Sequence, residues 1–325
     1  MRTIGFAIGT KENEKRRAIL PEDLRYVKNI DHVYIEKNYG EYLGIKDSEY
    51  EKYGVKIVNH KEILEKDIIC DPKIGDSKDL DEIKDGKTIF GYIHGVQNQK
   101  ITNKLIEKKA TVIAWEDMYE ENDHVFWRNN ELAGEAAILH AFNYYGLLPK
   151  DCKVALLGKG NVSRGAYKIL TSLGSDVKVF DRKTEKFFKE NFYKYDVIVN
   201  ALLWDTDRTD HILFRENLKE MKKNSFIIDI SCDEAGAIES SKSTTIKNPV
   251  YEVNGILHYV VDHTPSIYYK TASKYFSEQV NKYIDVLIEG NESSNKVLKN
   301  ATILESGKIL DDKIINYRIK RGITN

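Results

Sequence analysis

The order of segments constrains this chain most. Short apolar runs of strand character alternate with stretches that carry one apolar face at helical spacing, and they do so in two successive blocks. In the first block IGFAIG (from Ile4), HVYIEK (from His32), VKIVN (from Val55), DIICDP (from Asp67), KTIFGYI (from Lys87) and ATVIAW (from Ala110) read as strands. PEDLRYVKN from Pro21, HKEILEK from His60 and ITNKLIEKK from Ile101 read as helices between them. The second block runs through CKVALLG (from Cys152), DVKVFD (from Asp176), DVIVNALL (from Asp196), SFIIDIS (from Ser225) and ILHYVVD (from Ile256).

Alternation of this kind builds largely parallel sheets flanked by helices. The expected fold class is α/β, with two Rossmann-like domains joined by two crossing helices. The first crossing is RNNELAGEAAILHAFNYYG, from Arg128 to Gly146, whose Ala133, Gly134, Ala136 and Ala137 would let another backbone come close. The second is SIYYKTASKYFSEQVNKYIDVLIEG, from Ser266. Residues 1–128 and 266–325 are thus expected to form one discontinuous domain for substrate and catalysis, and residues 129–265 a dinucleotide-binding domain. A chain of 325 residues with 41% hydrophobic content has material for both. Near the end, NATILESGKILDDKI places two apolar runs around Ser306-Gly307, a hairpin signal.

Charge narrows the partners. Lys and Arg total 50 against 51 Asp and Glu, so no basic excess points to nucleic acid or a membrane surface, and a small molecule is the default ligand. No apolar stretch approaches the length of a membrane span. MRTIGFAIGTKENEKRR sets its apolar run before its basic cluster, the reverse of a secretory signal, so a cytoplasmic location is expected. Cys70, Cys152 and Cys232 are far apart in apolar settings, which suits buried thiols rather than a disulfide framework, and no metal site is expected.

VALLGKGNVSRGA, from Val154 to Ala166, is a strand that breaks at Gly158-Lys159-Gly160 and restarts as a helix. A pyrophosphate site needs a tight turn at the first glycine, no side chain at the second, and free helix N–H groups beyond. Ser163 stands where the strict G-x-G-x-x-G pattern has its third glycine. Asp181 closes the next strand, where such a fold places the carboxylate for the ribose hydroxyls. Gly158, Gly160, Asn161, Val162, Ser163, Asp181, Arg182, Lys183, Ala201, Leu202, Ser231 and His263 are the expected cofactor residues. Asp181 repels a 2′-phosphate while Arg182, Lys183 and Arg164 could hold one, so NADPH and NADH both stay open on residues alone.

The order NEKRRAILPEDL, DPKIG, GYIHG, the ELAG helix and then the glycine turn resembles the alanine dehydrogenase, transhydrogenase and saccharopine dehydrogenase superfamily. EYLGIKDSEYEKYGVKI and SFIIDISCDEAGAIESSKSTT are similar to two further family segments, with Ala235-Gly236 standing where the pattern has a glycine pair. GKGNVSRGA with VDHTPSIYYKTAS is most similar to the N5-(carboxyethyl)ornithine synthase branch, of opine type. That resemblance implies NADPH, pyruvate and L-ornithine, with lysine as a further amine, and a homo-oligomer is expected. Alanine dehydrogenase and a saccharopine-type dehydrogenase are the enzymatic alternatives, and a dinucleotide sensor without turnover is the non-enzymatic one.

By the same resemblance Arg16 anchors the oxo-acid carboxylate, with Arg17 beside it as the competitor, and Lys73 and His94 move protons. Gly91 and Gly95 would leave room for substrate beside the His94 imidazole. Asp233 matches the family carboxylate at the nicotinamide end, with Asp229 as the competitor. Glu116 and Arg128 are candidates for holding the amino-acid substrate, and His263, Thr264 and Ser266 for lining the cofactor or amino-acid pocket, with Ser266 able to cap the second crossing helix.

Overall fold

The computed structural model describes residues 1–205, 208–232 and 236–323. The chain divides into two compact units, Met1–Phe126 with Tyr269–Asn325, and Trp127–Tyr268.

The first unit contains β1 (Ile4–Phe6), β2 (Val33–Glu36), β3 (Lys56–Val58), β4 (Ile68–Cys70), β5 (Thr88–Gly91) and β6 (Thr111–Ala114), with a small hairpin of β7 (Tyr119–Glu120) and β8 (Asp123–His124). The second contains β9 (Lys153–Leu157), β10 (Asp176–Phe180), β11 (Val197–Asn200), β12 (Phe226–Asp229), β13 (Val250–Val253) and β14 (Ile256–Tyr259). The chain then returns to the first unit with β15 (Thr302–Glu305) and β16 (Lys308–Ile309). The architecture is α/β, with two Rossmann-like sheets.

In the first sheet the order is β16-β15-β6-β5-β4-β1-β2-β3. β1 to β6 are parallel, and the tail hairpin adds antiparallel to β6. Ser306 and Gly307 both have positive φ, the conformation that a two-residue hairpin turn requires. The second sheet runs β10-β9-β11-β12-β14-β13, all parallel except the edge strand β13. Strands β1, β4, β5, β11 and β12 are buried along their whole length, as parallel strands covered on both faces must be. Each sheet carries an apolar cluster on either side.

This order fixes where a ligand can sit. The order in which strands are added, though not their direction, reverses between β1 and β4 in the first sheet and between β9 and β11 in the second, and the crevice at the carboxyl ends of such strands is the binding place in open α/β sheets.

Several helices differ from the sequence expectation: the one at His60 stops at Ile63, and the first crossing spans Trp127–Ala141 rather than Arg128 to Gly146. The one at Pro21 ends after a single turn at Leu24, and the Asp285 carboxylate takes the N–H groups of Lys28 and Asn29 that would have continued it. The one expected from Ile101 starts earlier and spans Gln99–Glu107, because Asn98 caps it by accepting from the Ile101 N–H. The second long helix spans Tyr269–Glu289 and does not begin at Ser266. Thr264–Tyr268 is instead a 3-10 turn, with the Thr264 hydroxyl donating to the Ala133 carbonyl at 2.9 Å, so Ser266 does not cap the long helix. Cys70 and Cys152 are buried, whereas Cys232 is half-buried in a left-handed conformation just past β12. Among the described residues no helix is long and apolar enough to cross a membrane.

Candidate active site and dinucleotide turn

At the β1/β4 switch point, four segments converge: the loop after β1 with Glu14, Arg16 and Arg17, the loop after β4 with Asp71 and Lys73, the loop after β5 with Tyr92 and His94, and Glu116 after β6. Two glycines set this spacing. A Cβ on Gly91 would overlap the Asp71 carbonyl oxygen, and one on Gly75 would lie 2.7 Å from the Ile93 Cα. The Gly75 N–H also donates to the Tyr92 carbonyl at 3.0 Å. The Lys73 and His94 loops are therefore brought together backbone to backbone. Gly91 and Gly95 do not open space beside the imidazole as the sequence suggests: Gly91 packs on Asp71, and a Cβ on Gly95 would meet Ile303 at 3.1 Å.

The two neighbouring arginines have different partners. Arg17 is 1% exposed, and its Nε donates to the Tyr39 carbonyl and its Nη1 to the Arg16 carbonyl at 2.8 Å. Arg16 is 3% exposed and turns one edge to Glu14, with Nε 2.8 Å from Oε1 and Nη2 2.5 Å from Oε2. A guanidinium has a second fork, and the Nη1 side of Arg16 donates to no protein group among the described residues. Burial opposes its charge, and Glu14, with Tyr92 and Asp71 nearby, more than compensates, raising its pKa.

Lys73 is 7% exposed, with Nζ 3.1 Å from Oδ2 of Asp76, which also receives Lys11 at 2.9 Å. Burial works against the Asp76 carboxylate, but the two lysines outweigh it and bring its pKa down to about 2. Asp71 is fully buried and its Oδ1 accepts the Lys73 N–H at 3.1 Å, while Oδ2 has no hydrogen-bond partner among the described residues. Burial pushes its pKa up to about 7, against the Lys73 N–H and with help from Glu14 and Asp79.

His94 is exposed, its ring stacked on Tyr92 at 5.9 Å, and its backbone is left-handed with φ 56°. The Glu116 carboxylate holds that conformation by accepting the N–H groups of His94 and, at 3.1 Å, Ile93. Desolvation raises Glu116 to about 7. Glu116 thus braces the His94 loop, a contact that the sequence reading of it as a substrate ligand did not include. Arg128 belongs to the second unit, where its guanidinium lies over the Trp127 ring.

In the second unit, Gly158 follows β9 with φ 116°, and a Cβ there would sit 2.6 Å from the Ala201 carbonyl oxygen at the end of β11. Gly160 has nothing within 4 Å of its missing Cβ. The helix Asn161–Ser172 begins there with no side-chain cap. These features fit a dinucleotide pyrophosphate: a turn only glycine can make, open space at the second glycine, and N–H groups without a cap. Ser163 replaces the third glycine by folding inward, its hydroxyl donating to the Gly158 carbonyl at 2.7 Å. Close packing falls to Gly165 and Gly134, whose absent side chains let the Trp127–Ala141 and Asn161–Ser172 helices touch backbone to backbone.

A pocket opens beside this turn between the ends of β10 and β11, lined by Leu157, Phe180, Asp181, Arg182, Leu202, Trp204 and Arg208 among others. Its lining combines an apolar floor with a charged rim. Trp204 and Arg208 carry no motif that sequence reading could use. Ser231 donates to the Leu202 carbonyl. His263 is buried, with Nδ1 2.6 Å from Oδ1 of Asp262. Val162 lies in the first turn of the helix, and Asn161 Oδ1 accepts from Arg164 at 2.9 Å. Lys183 gives its N–H to Asp181 at 3.0 Å. Asp229 is buried and accepts from Asn200, Ser241 and Cys232, which commits it to bracing the strand ends. Asp233 lies outside the described residues. Among the described residues no group of His, Cys, Asp and Glu could hold a metal.

Two Rossmann-like units, one with a glycine turn shaped for a dinucleotide, define a class: the dinucleotide-dependent oxidoreductases. Residues 9–126 match the N-terminal domain of alanine dehydrogenase/PNT and residues 182–316 its C-terminal domain, so the chain belongs to the alanine dehydrogenase/PNT family. Similar proteins include N(5)-(carboxyethyl)ornithine synthase of Clostridium botulinum, 34% identical over 89% of this chain and 98% of that protein. The protein of the same name from Lactococcus lactis is 32% identical over 86% of this chain and 94% of its own. Alanine dehydrogenase 1 of Staphylococcus aureus is 25% identical over 87% and 89%. Among solved structures, an L-alanine dehydrogenase superposes with a TM-score of 0.80 at 19% identity, covering 98% of this chain and 99% of that one. A transhydrogenase from Sinorhizobium meliloti gives 0.76 at 18%, covering 95% and 100%. The chain is an NAD(P)-dependent oxidoreductase of the kind that acts on amino-group donors.

Proposed function

We propose that this enzyme joins pyruvate to the side-chain amine of L-ornithine through an imine and reduces that imine with NADPH. The observation that carries the reading is the match, along nearly their whole length, to two proteins named N(5)-(carboxyethyl)ornithine synthase, at higher identity than to the alanine dehydrogenases. The geometry supports it with a carboxylate fork, a lysine and a histidine on three converging loops.

The open edge of Arg16 receives the oxo-acid carboxylate as a bidentate pair, oriented by Glu14 on the opposite edge. Lys73, steadied by Asp76, polarises the carbonyl oxygen. His94 gives a proton to that oxygen as the amine adds and water leaves. Gly158, Gly160 and the first turn of the Asn161–Ser172 helix would hold the pyrophosphate of the dinucleotide, and the pocket past β10 and β11 would take its adenosine end. The dinucleotide, when bound, would supply hydride to the carbon of the protonated imine, leaving a secondary amine.

The test is a product analysis. Purified protein is incubated with NADPH or NADH, an oxo acid (pyruvate or 2-oxoglutarate) and an amine (ornithine, lysine or ammonia), and the products are weighed by mass spectrometry. The carboxyethyl adduct of ornithine is the expected product. Alanine from pyruvate and ammonia, or a glutarate adduct of lysine, in its place overturns the assignment.

A further inference from the structure

We propose that Lys159, the residue between the two glycines of the turn, makes this site prefer a 2′-phosphorylated dinucleotide over its unphosphorylated counterpart. The inference rests on the dinucleotide reading above and names the side chain that would decide which dinucleotide is taken.

Asp181 stands at the end of β10, where a carboxylate ordinarily receives the ribose hydroxyls and repels a 2′-phosphate. Here both of its oxygens are engaged. Oδ1 accepts the N–H of Lys183 at 3.0 Å, the N–H of Thr184 at 3.2 Å and the Thr184 hydroxyl at 3.0 Å. Oδ2 lies 2.6 Å from Nζ of Lys159. The hydrogen bonds from Lys159 and Thr184 bring the Asp181 carboxyl down to about 2, so it is ionised and its charge is countered on the spot.

Two consequences follow from Coulomb attraction and hydrogen-bond capacity. A ribose hydroxyl must compete with an ammonium for Oδ2, which weakens the unphosphorylated dinucleotide. A 2′-phosphate, which carries close to two negative charges at neutral pH, meets a cancelled carboxylate with further cations beside it. Arg182 is highly exposed and 3.1 Å from Asp205, and Lys183 follows it. Among the described residues, Lys159, Arg182 and Lys183 outnumber Asp181 and Asp205 by one charge. Arg208, by contrast, is spent on Glu185 and Asp210.

The fold does not depend on this ion pair. The Lys159 side chain is largely exposed, and exposed pairs contribute little to stability. Removing it should therefore change ligand choice and not the structure.

The experiment titrates the intact protein with NADPH and with NADH, without acceptor substrates, following nicotinamide fluorescence. Wild-type protein is expected to bind NADPH more tightly. In Lys159→Gln the Kd for NADPH should rise about tenfold and the Kd for NADH should fall, because Oδ2 is released to the ribose. Lys159→Arg should keep the wild-type preference, and Arg182→Ala should weaken NADPH alone. A structural role for Lys159 would weaken both dinucleotides together, and that result, or a wild-type preference for NADH, overturns the inference while leaving a dinucleotide site in place. Binding of neither dinucleotide by the wild type overturns the dinucleotide reading itself. Thermal midpoints without ligand accompany each titration, and Lys159→Arg keeps the test open should Lys159→Gln fail to fold.

Discussion

Glu14 grips one edge of the Arg16 guanidinium, at 2.8 Å and 2.5 Å, and leaves the Nη1 side without a protein partner among the described residues. An arginine held this way is a prepared fork: its orientation is fixed before any ligand arrives, so less freedom is lost on binding. Lysine at the same place keeps the charge but cannot make the paired contact. Arg16→Lys is expected to raise the KM for the oxo acid at least about tenfold with a smaller change in kcat. Steady-state kinetics at varied oxo acid check this, and an unchanged KM would move the anchor elsewhere. Arg17→Lys should show first as a lower Tm, because Arg17 is committed to the carbonyls of Tyr39 and Arg16.

At His94 the choice of substitution decides what is measured. Its φ of 56° strains most residues but is tolerated by asparagine, which visits the left-handed region readily. His94→Asn therefore removes the imidazole while keeping the backbone that Glu116 holds. Turnover should fall by about a hundredfold or more, the usual scale for losing a general acid, with Tm nearly unchanged. Near-normal turnover would remove His94 from the chemistry.

Glycine to alanine inside a helix usually stabilises, by roughly 1 kcal/mol. At Gly165 the opposite sign is expected. A Cβ there would overlap the Glu131 carbonyl, which belongs to the neighbouring Trp127–Ala141 helix and cannot rotate away. Overpacking of this kind costs about 1–3 kcal/mol, and the helices must also separate, so Gly165→Ala should lower the Tm of the second unit in calorimetry. Gly160→Ala is the contrast. Its Cβ would point into open space, so stability should hold while dinucleotide affinity drops. Equal effects on Tm from both variants would refute the packing argument.

Particular residues show what was legible in the sequence and what was not. Strand positions are readable because burial on both faces leaves continuous apolar runs, as at Ile68, Ile69 and Cys70 and at Phe226, Ile227 and Ile228. The Gly158 turn was readable because its steric demand admits one residue type. Arg16 and Arg17 were indistinguishable, since what separates them is Tyr39, whose carbonyl reaches Arg17 only after β2 and its loop have folded. Gly91 looked like room for a substrate because a sequence records a missing side chain without recording what occupies its place. Glu116 and Lys159 owe their positions to contacts with distant segments, His94 and Asp181, and no local spacing marks either. The long helix begins three residues beyond Ser266, and the Thr264 hydroxyl that ties the preceding turn to Ala133, far away in the chain, has no local signal.

Asp71 makes stability depend on pH with an unusual sign. Its carboxyl is fully buried, lacks a partner at Oδ2 among the described residues, and is pushed from an ordinary value of 3.8 to about 7. Between those values the folded chain holds a proton that the unfolded chain has released, so stability falls as pH rises through this window. The loss from this one group is on the order of a few kcal/mol at neutral pH. Glu116, raised to about 7, acts in the same direction. Asp76, lowered to about 2, acts oppositely, but only as pH falls below about 4, outside the window. Asp71→Asn keeps an oxygen for the Lys73 N–H and cannot ionise. The variant should be more stable than wild type at pH 7.5, with the difference shrinking steadily toward pH 4.5. Thermal midpoints at intervals across that range measure it, and two parallel curves would show that Asp71 does not release its proton on unfolding.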